Sequence, residues 1–304
     1  MAIVSVENLK MSYDKGRVKA LKGVTFDVEE GEIFGLIGPD GAGKTSLFRI
    51  LTTLLLADSG KAVVDGMDVV NDYKKIRQHI GYMPGRFSLY QDLTVEENLS
   101  FFATVFNTTI EENYHLVEDI YRQIEPFKKR KAGKLSGGMK QKLALSCALI
   151  HAPHVLFLDE PTTGVDPVSR KEFWEMLQKL KKNFKLSIVV STPYMDEALQ
   201  CDRIALIQDG QFLTIDTPEN IIRTYTQTLW SLRSDKMHRL LTDLRSIDGV
   251  KTAFAFGENH HATIDTSVLT VDSLRNRLVS LGHRNIVIEV VEPTIEDCFM
   301  NLQK

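Results

Sequence analysis

The feature that most constrains the fold of this chain is a glycine-rich segment at residues 38–45 with the pattern G-x-x-x-x-G-K-T. It follows a short apolar run, residues 33–37, of the kind found in strands buried on both faces of a parallel sheet. Residues 46–56, which come next, have apolar side chains at helical spacing. A strand, a glycine-rich turn and a helix in this order form a loop whose backbone N–H groups can surround a phosphate. The sequence therefore predicts an α/β fold with a phosphate-binding loop.

The end of this segment has side chains suited to a nucleoside triphosphate. The amine of Lys44 can reach the β- and γ-phosphates, and the hydroxyl of Thr45 can bind Mg²⁺. The positive end of the following helix adds to the attraction for phosphate. We expect the side chain of Asp40, the one acidic residue of the segment, to point away from the phosphates.

Two carboxylates follow a second apolar run, residues 155–158. Open α/β sheets bind their ligands at the carboxyl ends of the strands, and Asp159 and Glu160 occupy such an end. Asp159 can hold Mg²⁺ through water, and Glu160 can act as general base on the attacking water. The sequence therefore predicts Glu160 and Lys44 as catalytic residues, and Thr45 and Asp159 as metal ligands.

The length of the chain predicts more than one domain. Its 304 residues exceed what a single hydrophobic core usually organises. Strand and helix patterns alternate up to about residue 226, which predicts a parallel α/β sheet. Beyond that point the predicted order is β-α-β-β-α-β, the order of a small ferredoxin-like α+β domain. We expect domains at residues 1–226 and 227–304.

Composition limits the functional classes. The chain is 43% hydrophobic and 25% charged, as is usual for a globular protein, and its formal net charge of −3 shows no basic excess. Three widely spaced cysteines favour a reducing compartment over a disulfide framework. The apolar runs are too short for a membrane span, and the first residues lack the pattern of a signal peptide. His260 and His261 are expected in a solvated hairpin turn rather than in a metal site.

A third motif narrows the class. Residues 135–141, Leu-Ser-Gly-Gly-Met-Lys-Gln, lie between the phosphate loop and the Asp159 strand and resemble the signature of ABC ATPases. The resemblance extends over about residues 3–222. It implies a RecA-like core with a helical subdomain at about residues 86–140. It also implies a head-to-tail dimer in which each signature binds the γ-phosphate of the ATP held by the opposite subunit.

The resemblance assigns further residues to the ATP site. Tyr13 lies where the family has an aromatic side chain that stacks on adenine, and Asp166 lies in a segment similar to the D-loop, which faces the partner subunit. Ser136 and the amides beside it would bind phosphate at the start of a helix. The residues expected to bind ATP are Tyr13, Gly38, Pro39, Asp40, Gly41, Ala42, Gly43, Lys44, Thr45, Ser46, Ser136, Gly137, Gly138, Gln141 and Asp166.

Two positions depart from the family pattern. Gly85 stands where the Q-loop normally has a glutamine that touches Mg²⁺ and the attacking water. Pro193 stands where the switch region usually has a histidine that bonds the γ-phosphate. Neither side chain can make the usual contact. We expect ATP binding to survive because the loop residues are present, and hydrolysis to continue at a reduced rate because Glu160 is intact.

The C-terminal part indicates one branch of the family. Residues 292–299, Glu-Pro-Thr-Ile-Glu-Asp-Cys-Phe, resemble the closing motif of ATPases from ABC-2-type exporters, the drug and polysaccharide efflux group. Such a subunit pairs with itself or with a sibling ATPase. It acts with a separate integral-membrane transport subunit and lies peripherally at the cytoplasmic face of the inner cell membrane. Residues 87–99 resemble the segment that faces the membrane subunit, so Phe87, Leu89 and Tyr90 form either an exposed docking patch or subdomain core.

Two other functions remain open at this stage. A soluble ABC ATPase acting on nucleic acid or ribosomes usually has coiled-coil arms, zinc modules or a second cassette, none of which the sequence contains. Since the charge is also near neutral, we expect no nucleic-acid partner. A degenerate, ATP-binding regulatory subunit would agree with Gly85 and Pro193. The transported substrate would be chosen by the membrane subunit, so this chain does not specify it.

Overall fold

The structure, a computed structural model, describes residues 2–303. It contains two compact units, the first ending at Pro218 and the second beginning at Glu219. This division lies nearer the N-terminus than the boundary expected after residue 226. Among the helices of residues 2–303, none is long and apolar enough to cross a bilayer.

The first unit contains ten strands and most of the helices of the described chain. The strands are Ala2–Tyr13 (β1), Val18–Glu29 (β2), Ile33–Ile37 (β3), Ser59–Val64 (β4), Met67–Asp68 (β5), Ile80–Met83 (β6), Val155–Asp159 (β7), Ser187–Thr192 (β8), Arg203–Gln208 (β9) and Gln211–Asp216 (β10). The helices are Lys44–Leu51 (α1), Tyr73–His79 (α2), Val95–Val105 (α3), Ile110–Tyr121 (α4), Gly137–Leu149 (α5) and Pro167–Phe184 (α6), and Pro218–Arg223 (α7) spans the division between the units.

A six-stranded sheet with the order β10-β9-β3-β8-β7-β6 forms the centre of this unit. Strands β9, β3, β8, β7 and β6 are parallel, and β10 is antiparallel to β9. Every residue of β3, β7 and β8 is buried, which explains why these strands are apolar runs in the sequence. Because parallel strands end at one edge, Ile37 pairs with Thr192 and Asp159 pairs with Ser191 at the same edge.

A second, antiparallel sheet with the order β2-β1-β4-β5 shares its apolar core with the central sheet. Val4 and Val28 of this sheet, Phe48 of α1 and Phe157 of β7 belong to one buried cluster. Helix α1 is shorter than the helical run expected at 46–56. It ends at Leu51 because the backbone turns left-handed at Thr53, with φ of 64°.

Three helices, α3, α4 and α5, form the helical part of the first unit, where the sequence predicts a helical subdomain. The starts of α3 and α4 are fixed by capping boxes, in which Thr94 pairs with Glu97 and Thr109 pairs with Glu112. Leu89 is buried, whereas Tyr90 is exposed and Phe87 is half-buried. Of the two alternatives left open for this segment, the burial of Leu89 agrees with subdomain core and the exposure of Tyr90 agrees with an exposed patch.

The second unit is the small α+β domain that the sequence predicts. Its elements are Thr228–Arg233 (β11), Met237–Arg245 (α8), Val250–Phe256 (β12), Asn259–Ile264 (β13), Val271–Ser280 (α9), Val287–Val291 (β14) and Ile295–Leu302 (α10). The sheet is antiparallel with the order β12-β13-β11-β14, the order of the ferredoxin-like fold. Leu240 and Leu244 of α8 and Leu274 and Leu278 of α9 fill its core.

The expectation for the histidine pair is wrong. His260 and His261 lie in β13 and are buried, because the chain reverses at Gly257, three residues before His260, where φ is 55°. Nε2 of His260 lies 2.7 Å from the carbonyl oxygen of Met237, and Nδ1 of His261 donates to Asp297 at 2.8 Å. Both side chains are therefore satisfied members of the core.

Candidate active site

The glycine-rich loop joins β3 to α1 in the way that the sequence predicts. Gly43 precedes the helix with φ of 108°, and a Cβ atom there would lie 2.3 Å from the carbonyl oxygen of Ala20. A Cβ on Gly38 would lie 2.2 Å from the carbonyl oxygen of Ile207. Only glycine fits these two positions, so the path of the loop is fixed by close backbone approach as well as by dihedral angles.

The amine of Lys44 folds back over this loop. It donates to the carbonyl oxygens of Gly38 at 2.8 Å and Pro39 at 3.0 Å, and it lies 3.2 Å from Oε1 of Glu160. Because the side chain is buried, these partners hold its charge at the centre of the loop. The positive charge therefore lies where an anion bound by the loop amides would need it.

Asp159 lies at the carboxyl end of β7 and is 2% exposed. Its Oδ1 accepts hydrogen bonds from the hydroxyls of Thr45 at 3.2 Å and Ser191 at 2.7 Å. The pKa of nearby Tyr82 is raised to about 12, mainly by burial and to a smaller extent by the negative charge of Asp159. One carboxylate and one hydroxyl oxygen at this distance form a donor set of the hard-oxygen type that Mg²⁺ prefers.

Glu160 is the first residue after β7 and adopts a left-handed backbone with φ of 51°. Its N–H donates to the carbonyl oxygen of Ser191 at 3.0 Å and to the hydroxyl of Ser191 at 3.1 Å, which holds the strained residue in place. The carboxylate is 22% exposed and forms an ion pair with Lys44. It is thus both fixed from the backbone side and accessible to a water molecule.

The remaining predicted loop residues surround this centre. The hydroxyl of Tyr13 lies 3.0 Å from that of Ser46, so the end of β1 touches the start of α1. Gly38, Ala42 and Gly43 are buried, whereas Pro39, Asp40 and Gly41 are exposed. The exposure of Asp40 agrees with a side chain that avoids the centre of the loop.

The signature residues lie with the segment that follows Glu160. Ser136 is the N-cap of α5 and accepts a hydrogen bond from the N–H of Met139 at 3.3 Å. A Cβ on Gly137 would lie 3.6 Å from the carbonyl oxygen of Gly164, and one on Gly138 would lie 2.8 Å from Oγ of Ser169. The signature therefore packs against the start of α6.

Asp166 and Gln141 have structural partners of their own. Asp166 is the N-cap of α6, and hydrogen bonds from Ser169 lower its pKa. Gln141, one turn further along α5, lines a cavity with Tyr82 and Phe87. The predicted site residues thus form two groups, one around Lys44, Asp159 and Glu160 and one around the signature and Asp166, and Gln141 faces away into the cavity.

Both departures from the family pattern border the site. A Cβ on Gly85 would lie 3.0 Å from the carbonyl oxygen of Asp159 and 3.8 Å from Cβ of Glu160. Pro193 directly follows the carboxyl end of β8 at Thr192. Position 85 therefore adjoins the two carboxylates, and position 193 adjoins the strand end that carries Ser191.

A network centred on Glu197 was not predictable from the sequence patterns. Its buried carboxylate accepts hydrogen bonds from Thr162 at 2.8 Å and Thr192 at 2.6 Å, and it lies 3.6 Å from Nε of Arg170. The guanidinium of Arg170 also stacks 4.0 Å above the ring of Tyr194. Ser191 was also not predicted. Ser191 and Thr192 are hydroxyl residues at the carboxyl end of β8. Because ligand sites form at such strand ends, this position could have indicated site residues.

Comparison with known proteins decides the family. The family model described as ABC transporter matches residues 21–163. The Linearmycin resistance ATP-binding protein LnrL of Bacillus subtilis is 31% identical over 314 residues, which cover 99% of this chain and 98% of LnrL. This chain belongs to the ABC transporter ATPases. The α/β cassette with a small C-terminal domain and the family suggested by the signature are confirmed.

Two further comparisons place this ABC ATPase. The probable multidrug ABC transporter ATP-binding protein YbhF of Escherichia coli is 42% identical over 221 residues, which cover 71% of this chain but only 38% of YbhF. The ATP-binding cassette MJ0796, solved as a post-hydrolysis dimer with ADP and Pi, has 26% identity and a TM-score of 0.64. That alignment covers 70% of this chain and 98% of MJ0796. The cassette of this ABC ATPase is therefore a nucleotide-binding fold.

Proposed function

We propose that this ABC ATPase is the ATP-binding and hydrolysing subunit of an ABC-2-type exporter, in which dimer closure drives efflux through a separate membrane subunit. The observation that carries the proposal is the alignment with LnrL, a protein named for linearmycin resistance, across both units of the chain. The name of YbhF describes a multidrug transporter subunit, which also supports a role in drug export.

ATP binds at the loop between β3 and α1. The loop amides and the N-terminal end of α1 surround the β- and γ-phosphates, and Lys44 neutralises their charge. Tyr13 supports the adenine ring beside Ser46. Thr45 and Asp159 would hold Mg²⁺, which would reduce the charge on the phosphates.

Glu160 acts as the general base. Its carboxylate is held 3.2 Å from Lys44 and is fixed through its backbone by Ser191, so it can accept a proton from a water aligned with the γ-phosphate. Hydrolysis therefore needs no side chain from position 85 or 193. Their replacement removes two groups that would align that water, which reduces the rate without removing the base.

The signature acts on the opposite subunit's nucleotide. Ser136, Gly137 and Gly138 lie at the exposed start of α5, where free N–H groups attract phosphate. Asp166 stands beside them and stabilises the start of α6. Two copies of this chain, or this chain and a sibling, then enclose two ATP molecules head to tail.

The membrane subunit docks in the cavity that Gln141 lines. This cavity has a volume of about 330 Å³, and apolar side chains of Met83, Leu89, Phe102 and Ala144 form much of its wall. It suits an amphipathic cytoplasmic segment, which would bury its apolar face there. The ATPase would thereby be held peripherally at the cytoplasmic face of the cell membrane.

Affinity purification from detergent-solubilised membranes tests the proposal. We expect this chain to recover an integral-membrane protein, and we expect ATP hydrolysis by the purified pair to exceed that of the ATPase alone. Ser88→Arg, which places a bulky charge in the cavity wall, should reduce recovery of the partner, whereas Ser100→Arg on the exposed surface of α3 should not. Recovery of ribosomes or DNA without a membrane protein would refute the exporter function.

A second function, that of a degenerate regulatory subunit that binds ATP, is favoured by Gly85 and Pro193 alone. It predicts that the purified chain binds ATP but does not hydrolyse it, even with its membrane partner. Pro193→His, which supplies a donor near the γ-phosphate, would then create turnover. If the unmodified chain hydrolyses ATP and Lys44→Ala does not, the regulatory function is excluded.

A further inference from the structure

Three potential metal ligands meet at the end of the central sheet opposite the ATP site. They are Asp65, His79 and His154, and their ligand atoms all lie within 4.8 Å of one another. The Nδ1–H groups of His79 and His154 donate to the same oxygen, Oδ2 of Asp65, at 2.6 Å and 2.8 Å. Within residues 2–303 this is the only such group of three or more histidine, cysteine or carboxylate side chains.

The three ligands stand on backbone that is fixed independently of their side chains. Asp65 is in the tight turn between β4 and β5 and donates its N–H to the carbonyl oxygen of Ile3 at 2.8 Å. His79 ends α2, immediately before β6. His154 immediately precedes β7, and its N–H donates to the carbonyl oxygen of His79 at 2.8 Å. Sites on such elements are better preorganised than sites on free loops.

The donor set matches a borderline transition metal. Two imidazole nitrogens and one carboxylate oxygen form the three-ligand set of many Zn²⁺ sites, which leave a fourth position for water or another ligand. Zn²⁺ bonds of about 2.0–2.2 Å place the ligand atoms of one ion no more than about 4.4 Å apart. The observed atoms need only small rotations to reach this, and the side chains of His79 and His154 are 40% and 58% exposed and so free to make them.

The cluster of three ligands is open to solvent and lies far from the ATP site. Asp65, Gly66 and His154 line an open cavity that also contains Pro153 and Phe184. Strand β7, Val155–Asp159, lies between His154 and Glu160, so about 15–20 Å of extended chain separates this cluster from the general base. An ion bound here would not share ligands with the nucleotide.

We propose that Asp65, His79 and His154 bind one Zn²⁺ ion, which ties the turn of the antiparallel sheet to the entry of the central sheet. Binding replaces the two N–H···O contacts, and each imidazole binds the ion through an unprotonated Nδ1. A neutral ring transfers its proton from Nδ1 to Nε2 by exchange with solvent, and a protonated ring keeps its Nε2–H and releases the Nδ1 proton to solvent. Because the unfolded chain does not hold the three ligands together, the bound ion stabilises the folded first unit.

Titration of the untagged, nucleotide-free full chain with Zn²⁺ tests the site, with excess Mg²⁺ present to fill oxygen-only sites. We expect saturation at one equivalent and a rise in melting temperature that increases with Zn²⁺ concentration. Co²⁺ in its place should give the visible absorption of a four- or five-coordinate ion. If the chain shows neither saturable binding nor a melting shift, the site does not exist.

Three variants separate a metal site from a hydrogen-bonded cluster. Asp65→Asn keeps an acceptor oxygen for both imidazoles but is a poor Zn²⁺ ligand, and His79→Gln and His154→Gln each keep a donor. We expect each to fold without metal and to weaken Zn²⁺ binding by more than about 100-fold, beyond the effect of losing an outer-shell partner. His115→Gln, an exposed histidine on α4, should bind as the unmodified chain does. Unchanged binding in Asp65→Asn would overturn the proposal.

Discussion

Lys44 Nζ lies 3.2 Å from Oε1 of Glu160, so the cation of the phosphate loop and the carboxylate at the end of β7 are direct partners. The residue proposed to neutralise the phosphate charge, Lys44, therefore contacts the proposed general base, Glu160, directly. The two residues are nevertheless separable by substitution, because Lys44 is bound to loop carbonyls and Glu160 to the backbone of β8.

Substitution of these two residues should separate binding from turnover. Glu160→Gln keeps the size of the side chain and should lower the rate of hydrolysis by about 10²- to 10⁴-fold, the usual contribution of a general base, while ATP still binds. Lys44→Ala should remove detectable ATP binding. Binding can be measured with a fluorescent ATP analogue and turnover by phosphate release. Glu111→Gln, in the first turn of α4, serves as control, and unchanged turnover in Glu160→Gln would mean that another group is the base.

Two glycines with positive φ allow the close approach in the loop to be tested. Gly43 and Gly16 have φ of 108° and 90°, but a Cβ on Gly43 would lie 2.3 Å from backbone, whereas nothing lies within 4 Å of one on Gly16. Gly16→Ala should therefore cost only the strain of the dihedral angle, about 1–2 kcal/mol, and keep ATP binding. Gly43→Ala should displace the loop and lose ATP binding. Denaturant unfolding and nucleotide titration measure the two effects, and equal effects would contradict the steric explanation.

Tyr13 provides a test of adenine stacking. Its hydroxyl lies 3.0 Å from Ser46, so the ring could either stack on a base or simply fix the end of β1. Tyr13→Phe removes the hydroxyl and keeps the ring, and should leave ATP affinity within about twofold, whereas Tyr13→Ala should weaken it by about 1–3 kcal/mol if the ring stacks. Isothermal titration with ATP distinguishes these results. An equal loss in both variants would assign Tyr13 to loop structure rather than to adenine.

The elements that were predicted correctly are those whose signals lie in short, continuous stretches of sequence. The loop at residues 38–45, the carboxylates after β7 and the order of the second unit depend on spacing and on runs of buried side chains, which are visible in the chain itself. The two histidines at 260 and 261 were misplaced because the position of a hairpin turn, here three residues earlier than expected, decides between a turn and a buried strand. The pairing of Glu197 with Thr162 and Thr192 was invisible because it joins three separate segments through side chains alone.

The second unit contains a buried carboxylate whose contribution to stability depends on pH. Oδ1 of Asp297 accepts from His261 at 2.8 Å, and Oδ2 accepts from the N–H and the hydroxyl of Thr294. Burial alone would raise the pKa of Asp297, but the hydrogen bonds from His261 and Thr294 outweigh it and lower the pKa below its ordinary value of 3.8. The carboxylate therefore stabilises the fold above pH 3.8, and this stabilisation is lost as the pH falls through the lower, folded-state pKa.

Asp297→Asn should lower the free energy of unfolding of the second unit by about 1.5–3 kcal/mol at pH 7, the value of hydrogen bonds to a charged group. The difference from the unmodified residue should shrink once the pH is below 3.8. Trp174 lies in the first unit and Trp230 in the second, so fluorescence of Trp230 in a Trp174→Phe background reports on the second unit alone. Asp272→Asn, at an exposed position in the first turn of α9, is the matched control and should change stability little at either pH. A pH-independent difference between Asp297→Asn and its parent would show that the cap, and not the charge, provides the stability.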